Sequence, residues 1–423
     1  SRSLTDDEID TLRREIQTFT VRRTKTVLNK LIDREPDAYR DRNGNMCRFP
    51  EHAPKIYTLD ETDRDRRLAQ RIGELADELH GVTHFVKAIE LPEILRRQGV
   101  SEERYLQGRL NSAKKLARYM ITRSLRSSRA ALIEHIEGTD AARESFGIKN
   151  FGQKTATGNA IHKLEQVRGE PPENKLSIAL PDWLTDADRH AEVTDADIAV
   201  YKAIAALVRQ MTDSREKAKT CLLKNLIKQH KLLLAFDSRP ITLAYLRQEI
   251  GTPPGIRCQL VWGDGGTSRD KLLRTYAHGS TEAGVIGLCS DSVAEGVNLQ
   301  QASALVHLDM PSVVRIAEQR VGRVDRLDSP HGRIEAWWPH DAPEFALTSD
   351  ERFIERYETV ERLLGSNMPL PEHLQVTNRS HVSAEQMISE FEQSQLDAWD
   401  GIDDAFAPVR QLVDGETALV DPA

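Results

Sequence analysis

The feature that most restricts the fold of this chain lies between residues 215 and 340. Five short apolar runs recur there, at 231–236, 257–262, 284–289, 304–309 and 333–338. Helical patterns separate them at 240–250, 268–277, 292–296 and 312–321. A strand with one wet face alternates polar and apolar residues, and these runs do not. Continuous apolar strands belong to a parallel sheet covered on both faces. A spacing of roughly 20–25 residues per strand–helix unit suits right-handed βαβ crossovers. The expectation is an α/β fold, a parallel sheet with helices on both faces. Ser238 before Pro240, and Thr267 and Ser268 before Leu272, supply helix starts.

The rest of the chain reads differently. Residues 60–215 are mainly helical: Leu68, Ile72, Leu75 and Leu79 keep helical spacing, and Leu116, Tyr119, Met120, Leu132, Ile133 and Ile136 form a second apolar stripe. Within this region 138–196 is richer in Gly, Pro and Asp and reads as a mobile stretch with short helices. Residues 366–423 suggest one amphipathic helix at 384–399 and a loose acidic end. The expected division is 1–60, leading into the sheet domain; 61–215, a helical insertion; 216–365, the α/β domain; and 366–423, a tail.

Composition narrows the chemistry. The 423 residues carry 58 Lys and Arg against 66 Asp and Glu, a net charge of −8, with 39% apolar residues. That excludes a bulk polycation but not a local basic track, because phosphate binding follows local potential. No run of 18 apolar residues suggests a membrane span. Cys47, Cys221, Cys258 and Cys289 keep no zinc-site spacing and fit a reducing cytoplasm. The thirteen histidines form no metal-ligand pattern. The chain opens on Ser1 with neither an initiator Met nor an apolar leader, so a piece of a longer protein is expected.

The strongest motif is Gln319-Arg320-Val321-Gly322-Arg323-Val324-Asp325-Arg326, which fits Q-x-x-G-R-x-x-R after a strand and a helix. Arginines three apart at a helix end project to one side, and guanidinium forks suit phosphate oxygens. An isolated R-x-x-R is usually a solvated face; Gln319 and Gly322 in register make it more than that. The segment resembles motif VI of superfamily 2 helicases. Cys289-Ser290-Asp291 through Glu295-Gly296-Val297-Asn298-Leu299-Gln300-Gln301-Ala302-Ser303 resembles motif V, in a form close to the RapA-like branch of Swi/Snf-type ATPases. The 231–237 strand with Ser238-Arg239 resembles motif IV. Trp262 to Arg269 resembles the glycine-rich turn that follows it. Phe19-Thr20-Val21-Arg22-Arg23-Thr24-Lys25 resembles the F-x-x-R-R-T-K segment of the Swi/Snf type, His52-Ala53-Pro54-Lys55 its L-P-x-K step, and Leu125 to Leu132 the R-L-x-S-S-x-x-A-L element of RapA-like proteins.

The resemblance implies the C-terminal RecA-like lobe of a Swi/Snf-type ATPase that translocates on double-stranded DNA. It implies Arg323 and Arg326 as arginine fingers at the carboxyl ends of the strands. Gln319, Gly322, Glu295 and Gly296 would stand near the nucleotide. Ser290, Asp291, Arg239, Ser268, Arg22 and Arg23 would stand near DNA. The basic residues Lys114, Lys115, Arg118, Arg123, Arg126 and Arg129 form either a DNA track or a solvated face. Two departures matter. No G-x-x-x-x-G-K-[ST] loop occurs; Gly152-Gln153-Lys154-Thr155 is too short to be one. No D-E-x-H-like segment follows an apolar strand. ATP and Mg2+ are therefore expected to be bound mainly by a lobe outside this sequence, and the 423 residues alone to be inactive. Expected partners are duplex DNA and RNA polymerase or other remodelling or defence subunits, with no membrane. A strand-separating helicase and a non-catalytic binding module are the alternatives. His307 is expected in the core, and Trp337 and Trp338 against the sheet.

Overall fold

The computed structural model describes residues 25–40, 47–97, 99–152, 159–263, 266–294, 297–311, 314–327 and 329–347. Arg22, Arg23, Glu295, Gly296 and most of the Gly152–Thr155 segment lie outside the described residues, as does the helix expected at 384–399.

Six parallel strands form one sheet: β1 (Glu51–Thr58), β2 (Leu232–Phe236), β3 (Arg257–Val261), β4 (Val285–Cys289), β5 (Ala304–His307) and β6 (Arg333–His340), in the order β1-β6-β5-β2-β4-β3. Five of them fall on the apolar runs. The sixth, β1, was not anticipated as a strand. It occupies an edge and pairs only with β6, its Pro54 opposite Ala336. A sheet edge is where a residue without an N–H fits, and the strand buries little beyond Ala53 and Tyr57, so no apolar run announces it.

The helices are α1 (Lys25–Arg34), α2 (Asp63–Glu78), α3 (Glu93–Arg97), α4 (Glu102–Ser127), α5 (Arg129–Glu137), α6 (Thr139–Phe146), α7 (Ala160–Val167), α8 (Ala187–Val208), α9 (Ser214–Leu226), α10 (Pro240–Ile250), α11 (Gly266–Tyr276) and α12 (Val314–Val321). Alternate residues of the sheet face opposite ways, as the pleat requires. Leu232, Leu234 and Phe236 pack with Leu272 and Tyr276 of α11 and Ala317 of α12. Leu233 and Ala235 pack with Leu223 of α9 and Leu243 and Leu246 of α10. Gly287 lets α11 approach: a Cβ there would stand 2.9 Å from Leu234 and 3.0 Å from the Tyr276 hydroxyl. That hydroxyl donates to the Leu233 and Val285 carbonyls at 2.8 and 3.0 Å.

The helical insertion has its own core, with Ile72, Ile121, Leu132, Ile133, Ile136, Leu164, Ile204 and Val208. Helix α10 joins the two bodies. Its Leu243 and Leu246 face the sheet, while Ile241, Ala244 and Tyr245 face the insertion. Within 138–196 the described residues are 138–152 and 159–196. They hold α6, α7 and the start of α8, and bury Phe151, Leu164, Leu176, Leu180 and Leu184. Their punctuating residues are helix ends: Gly138 at φ +103° between α5 and α6, and Asn159 and Asp186 accepting first-turn N–H groups of α7 and α8.

Candidate functional site

The carboxyl ends of β2, β4 and β5 deliver Asp237, Ser290 with Asp291, and Asp309 to one edge of the sheet. The arginine that reaches this edge is Arg320, fully buried. Its Nη2 donates to Asp309 at 2.9 Å and its Nε to Asp291 at 2.7 Å. Burial alone would lower its pKa; the two carboxylates outweigh burial and hold the guanidinium charged above its ordinary range. Burial likewise pushes Asp309 up, and Arg320 with Ser238 overcomes that and pulls it down. Asp237 goes the other way. Burial raises its carboxyl to about 7, the neighbouring Asp309 charge adds to this, and Lys219 only partly opposes it. Lys219 is itself buried, donating to the Ser127 carbonyl at 2.6 Å.

The insertion is bolted to the same edge by the α4–α5 junction. Ser127 Oγ donates to Asp237 at 2.6 Å, and Ser128 caps α5 through the Ala131 N–H at 3.0 Å while touching Thr242 Oγ1 at 2.7 Å. Arg126 Nε donates to Asp341 at 3.0 Å, and Arg215, which also pairs with Glu61, meets Asp341 at 2.8 Å. The Leu125–Leu132 element is therefore an internal latch.

Arg323 and Arg326 do not lie at that edge, contrary to the expectation. The chain turns after α12 and runs back toward the starting end of β1. There Lys25, Phe49, Asn298, Gly322, Asp325, Arg326 and Leu327 line an open pocket of about 500 Å³. Arg323 is half-buried beside it, its Nε on the Gln319 carbonyl and its Nη1 on the Val297 carbonyl, both at 3.1 Å. Arg326 Nε is buried and makes no hydrogen bond among the described residues. The buried Asp325 carboxylate binds Lys25 and lies 2.6 Å from His52 Nε2, although that nitrogen is not aligned for a hydrogen bond. Asn29 fixes Phe49 through both its backbone N–H and carbonyl, at 3.1 and 3.0 Å. Gly322 keeps the turn tight: a Cβ there would come within 2.9 Å of the Glu318 carbonyl.

The remaining expected residues separate. Gln319 gives its carbonyl to Arg323 and does not line the pocket. Ser290 is buried with its hydroxyl 2.7 Å from Ser292, and Asp291 is committed to Arg320. Arg239 folds back to donate to Ser124 Oγ at 2.9 Å. Ser268 is exposed in the first turn of α11. His307 is buried, burial and Arg320 holding it neutral well below its ordinary range, 4.2 Å from the buried Trp338 ring. Lys25, Phe49 and Asp325 had no assigned role in the sequence. Their only signal was that Lys25 ends one quoted motif and Asp325 stands inside another, 300 positions away.

The sheet is parallel throughout and covered on both faces, with the Q-x-x-G-R-x-x-R turn lining a pocket at its flank. Residues 213–328 match the helicase conserved C-terminal domain family. RNA polymerase-associated protein RapA of Cronobacter sakazakii is 36% identical over 101 residues, 23% of this chain and 10% of that protein. The Klebsiella pneumoniae RapA matches to the same extent. The match thus spans only 10% of the length of these curated relatives. Among solved structures, the C-terminal part of the Fun30 ATPase domain is 12% identical with a TM-score of 0.35, over 82% of this chain and 98% of that one. A DEAD box protein from Methanococcus jannaschii is 16% identical with a TM-score of 0.27, over 37% and 38% of the respective chains.

Proposed function

We propose that this chain is the second lobe of a Swi/Snf-type, ATP-driven translocase on double-stranded DNA, and that its pocket completes a nucleotide site whose other wall is a first lobe outside this sequence. The observation that carries this reading is Arg326: a permanently charged fork in an open pocket, with one buried donor unanswered. Such a donor is costly to leave unmade, and an anionic oxygen satisfies it. Asn298 adds an amide on the same wall. The donor set therefore fits a phosphate. Mg2+ is assigned to the first lobe together with the phosphate cradle, whose G-x-x-x-x-G-K-[ST] loop this sequence does not carry. ATP with Mg2+, when bound, brings the γ-phosphoryl group and the charge that must be neutralised as it transfers.

This chain's part is positional and electrostatic. Arg320, pinned by Asp309 and Asp291, fixes α12. Arg323, held by two carbonyls, stiffens the turn. Arg326 approaches the developing charge, the role an arginine finger plays in phosphoryl transfer. The helical insertion would serve as a platform for partners; the RapA relatives are named RNA polymerase-associated, and a polymerase is one such partner. In the complete protein, Arg326→Ala is expected to lower ATP turnover by about 10³ or more while duplex binding persists. Turnover near the parent value removes the assignment. The 423-residue chain alone is expected to hydrolyse no ATP. Triplex displacement without strand separation distinguishes the translocase from a strand-separating helicase.

A further inference from the structure

A phosphate does not account for the whole pocket beside Arg326. The walls are uneven: Arg326 brings charge, while Phe49 and Leu327 bring apolar surface. Its volume of about 500 Å³ falls in the range of roughly 300–1,000 Å³ usual for small organic ligands, and one phosphate group fills only a fraction of that. Asp325 is already committed. Its carboxylate is buried, bound to Lys25 and 2.6 Å from His52. The part of the lining left without a role is an aromatic ring, a leucine and the Asn298 amide.

We propose that this part of the lining is a subsite for a nucleobase, and that the base is adenine, stacked on Phe49 with its edge read by Asn298. The proposal rests on the nucleotide reading above and deepens it: this lobe selects which nucleotide enters, besides meeting its phosphates.

Both side chains are set in place before any ligand arrives. Asn29 holds the Phe49 backbone through its N–H and its carbonyl, at 3.1 and 3.0 Å, and the buried Pro50 follows. A ring on a fixed backbone gives up little freedom when a planar partner stacks on it. Lys25 Nζ stands over the same ring, 5.2 Å from its centroid, and Asp325 holds that lysine. One face of Phe49 is therefore taken by a cation, and the other receives the base. Asn298 is exposed between the buried Val297 and Leu299. The chain on either side of it is stapled to the motif turn: the Val297 carbonyl accepts Arg323 Nη1 at 3.1 Å, and the Leu299 N–H donates to the Arg323 carbonyl at 2.9 Å. Asn298 thus keeps its place relative to the turn that carries Arg326. Among the described lining residues it alone offers a donor and an acceptor side by side. Adenine presents the complement, the N6 amino donor beside the N7 acceptor, and an asparagine amide binds the two at once. Guanine presents two acceptors on that same edge, O6 and N7, and one of them would face the amide oxygen.

The test is equilibrium dialysis of the 423-residue chain against ATP, GTP and inorganic triphosphate, each with Mg2+ present. ATP is expected to bind about tenfold or more tightly than inorganic triphosphate, the scale of one base stacked on an aromatic ring, and GTP to fall near inorganic triphosphate. Phe49→Ala and, separately, Asn298→Ala should bring ATP down toward inorganic triphosphate and leave the latter unchanged. Arg326→Ala should weaken all three. Thermal melting checks that each variant is folded, and the exposed Asn298 gives a variant that keeps the fold even where Phe49→Ala loses it. Binding of neither ATP nor inorganic triphosphate to the parent chain removes the nucleotide reading itself, and the base subsite with it. Equal affinity for ATP and inorganic triphosphate overturns the base subsite alone and leaves the phosphate contact standing. GTP bound as tightly as ATP overturns the assignment to adenine. ATP affinity that survives both Phe49→Ala and Asn298→Ala overturns the subsite as well, because the base then rests on other residues.

Discussion

Arg320 and Arg326 stand six residues apart in one motif and do opposite work. Arg320 is enclosed, with both carboxylate partners fixed and its ring neighbour Phe236 at 5.9 Å. Arg326 is half-exposed in a pocket with a donor left over. The difference is set by what the strands place beside each side chain. The carboxyl ends of β4 and β5 supply acids to the first. The loop before β1, the start of α1 and the turn after α12 supply an aromatic ring, a lysine already taken by Asp325, and open space to the second. A motif that reads as a row of equivalent cations thus divides into an anchor and a free hand. In a parallel sheet the crowded edge is the anchor here, and the free cation lies off it.

The largest expected effect breaks the anchor. Arg320→Ala leaves Asp309 and Asp291 facing each other without their cation, and removing one partner of a buried pair costs about 3–5 kcal/mol. Urea unfolding of the 423-residue chain reads this directly, and a loss under about 1 kcal/mol would mean that the network is solvated in solution. Ser127→Ala comes next. It takes one donor from the buried Asp237 carboxylate, whose second oxygen already lacks a partner, and should cost about 1–3 kcal/mol. An unchanged denaturation midpoint would show that the insertion is not latched through this serine.

Asp237 also gives the crowded edge a pH signature. Its carboxyl is raised in the folded state, so its contribution to stability is full below the ordinary carboxylate range and is lost as pH rises through about 7. The buried His307, held neutral, contributes with the opposite slope, gaining as pH rises through its ordinary range. Comparing the parent with Asp237→Asn cancels the histidine term. The parent's advantage over the variant should shrink between pH 5 and 8, with a slope no steeper than about 1.4 kcal/mol per pH unit. Parallel profiles would place Asp237 in the ionised state throughout.

The sequence made the sheet legible and the pocket largely opaque, for a physical reason. Strands β2 and β4 are buried on both faces, so their burial is written as the runs Leu-Leu-Leu-Ala-Phe and Val-Ile-Gly-Leu-Cys, with no polar residue between. The edge strand β1 keeps Pro54, Lys55 and Ile56 half or fully exposed and carries no such mark. Helix α10 was legible to the residue because Pro240 starts it and Gly251 ends it. The pocket is assembled from residues 25, 49, 298, 322 and 326, which no local pattern connects. The spacing groups Arg323 with Arg326 and gives Arg320 no role, because spacing reports direction on a helix, not the acids waiting across space.

The smallest expected effect on stability is the one that decides the comparison. Arg326→Ala should shift the unfolding free energy of the 423-residue chain by no more than about 0.5 kcal/mol, an order below Arg320→Ala. Among the described residues the side chain has no ion pair to lose, and its removal relieves a buried donor that they leave unsatisfied. The loss on the other side of the balance is the packing of its stem beside Leu327 and Gly322, which is modest for a side chain that lines open space. A near-zero change, together with a large fall in turnover in the complete protein, makes Arg326 a group kept for a ligand at no benefit to the fold. A destabilisation close to that of Arg320→Ala would instead make it a second anchor, and the pocket would have no free cation to offer a phosphate.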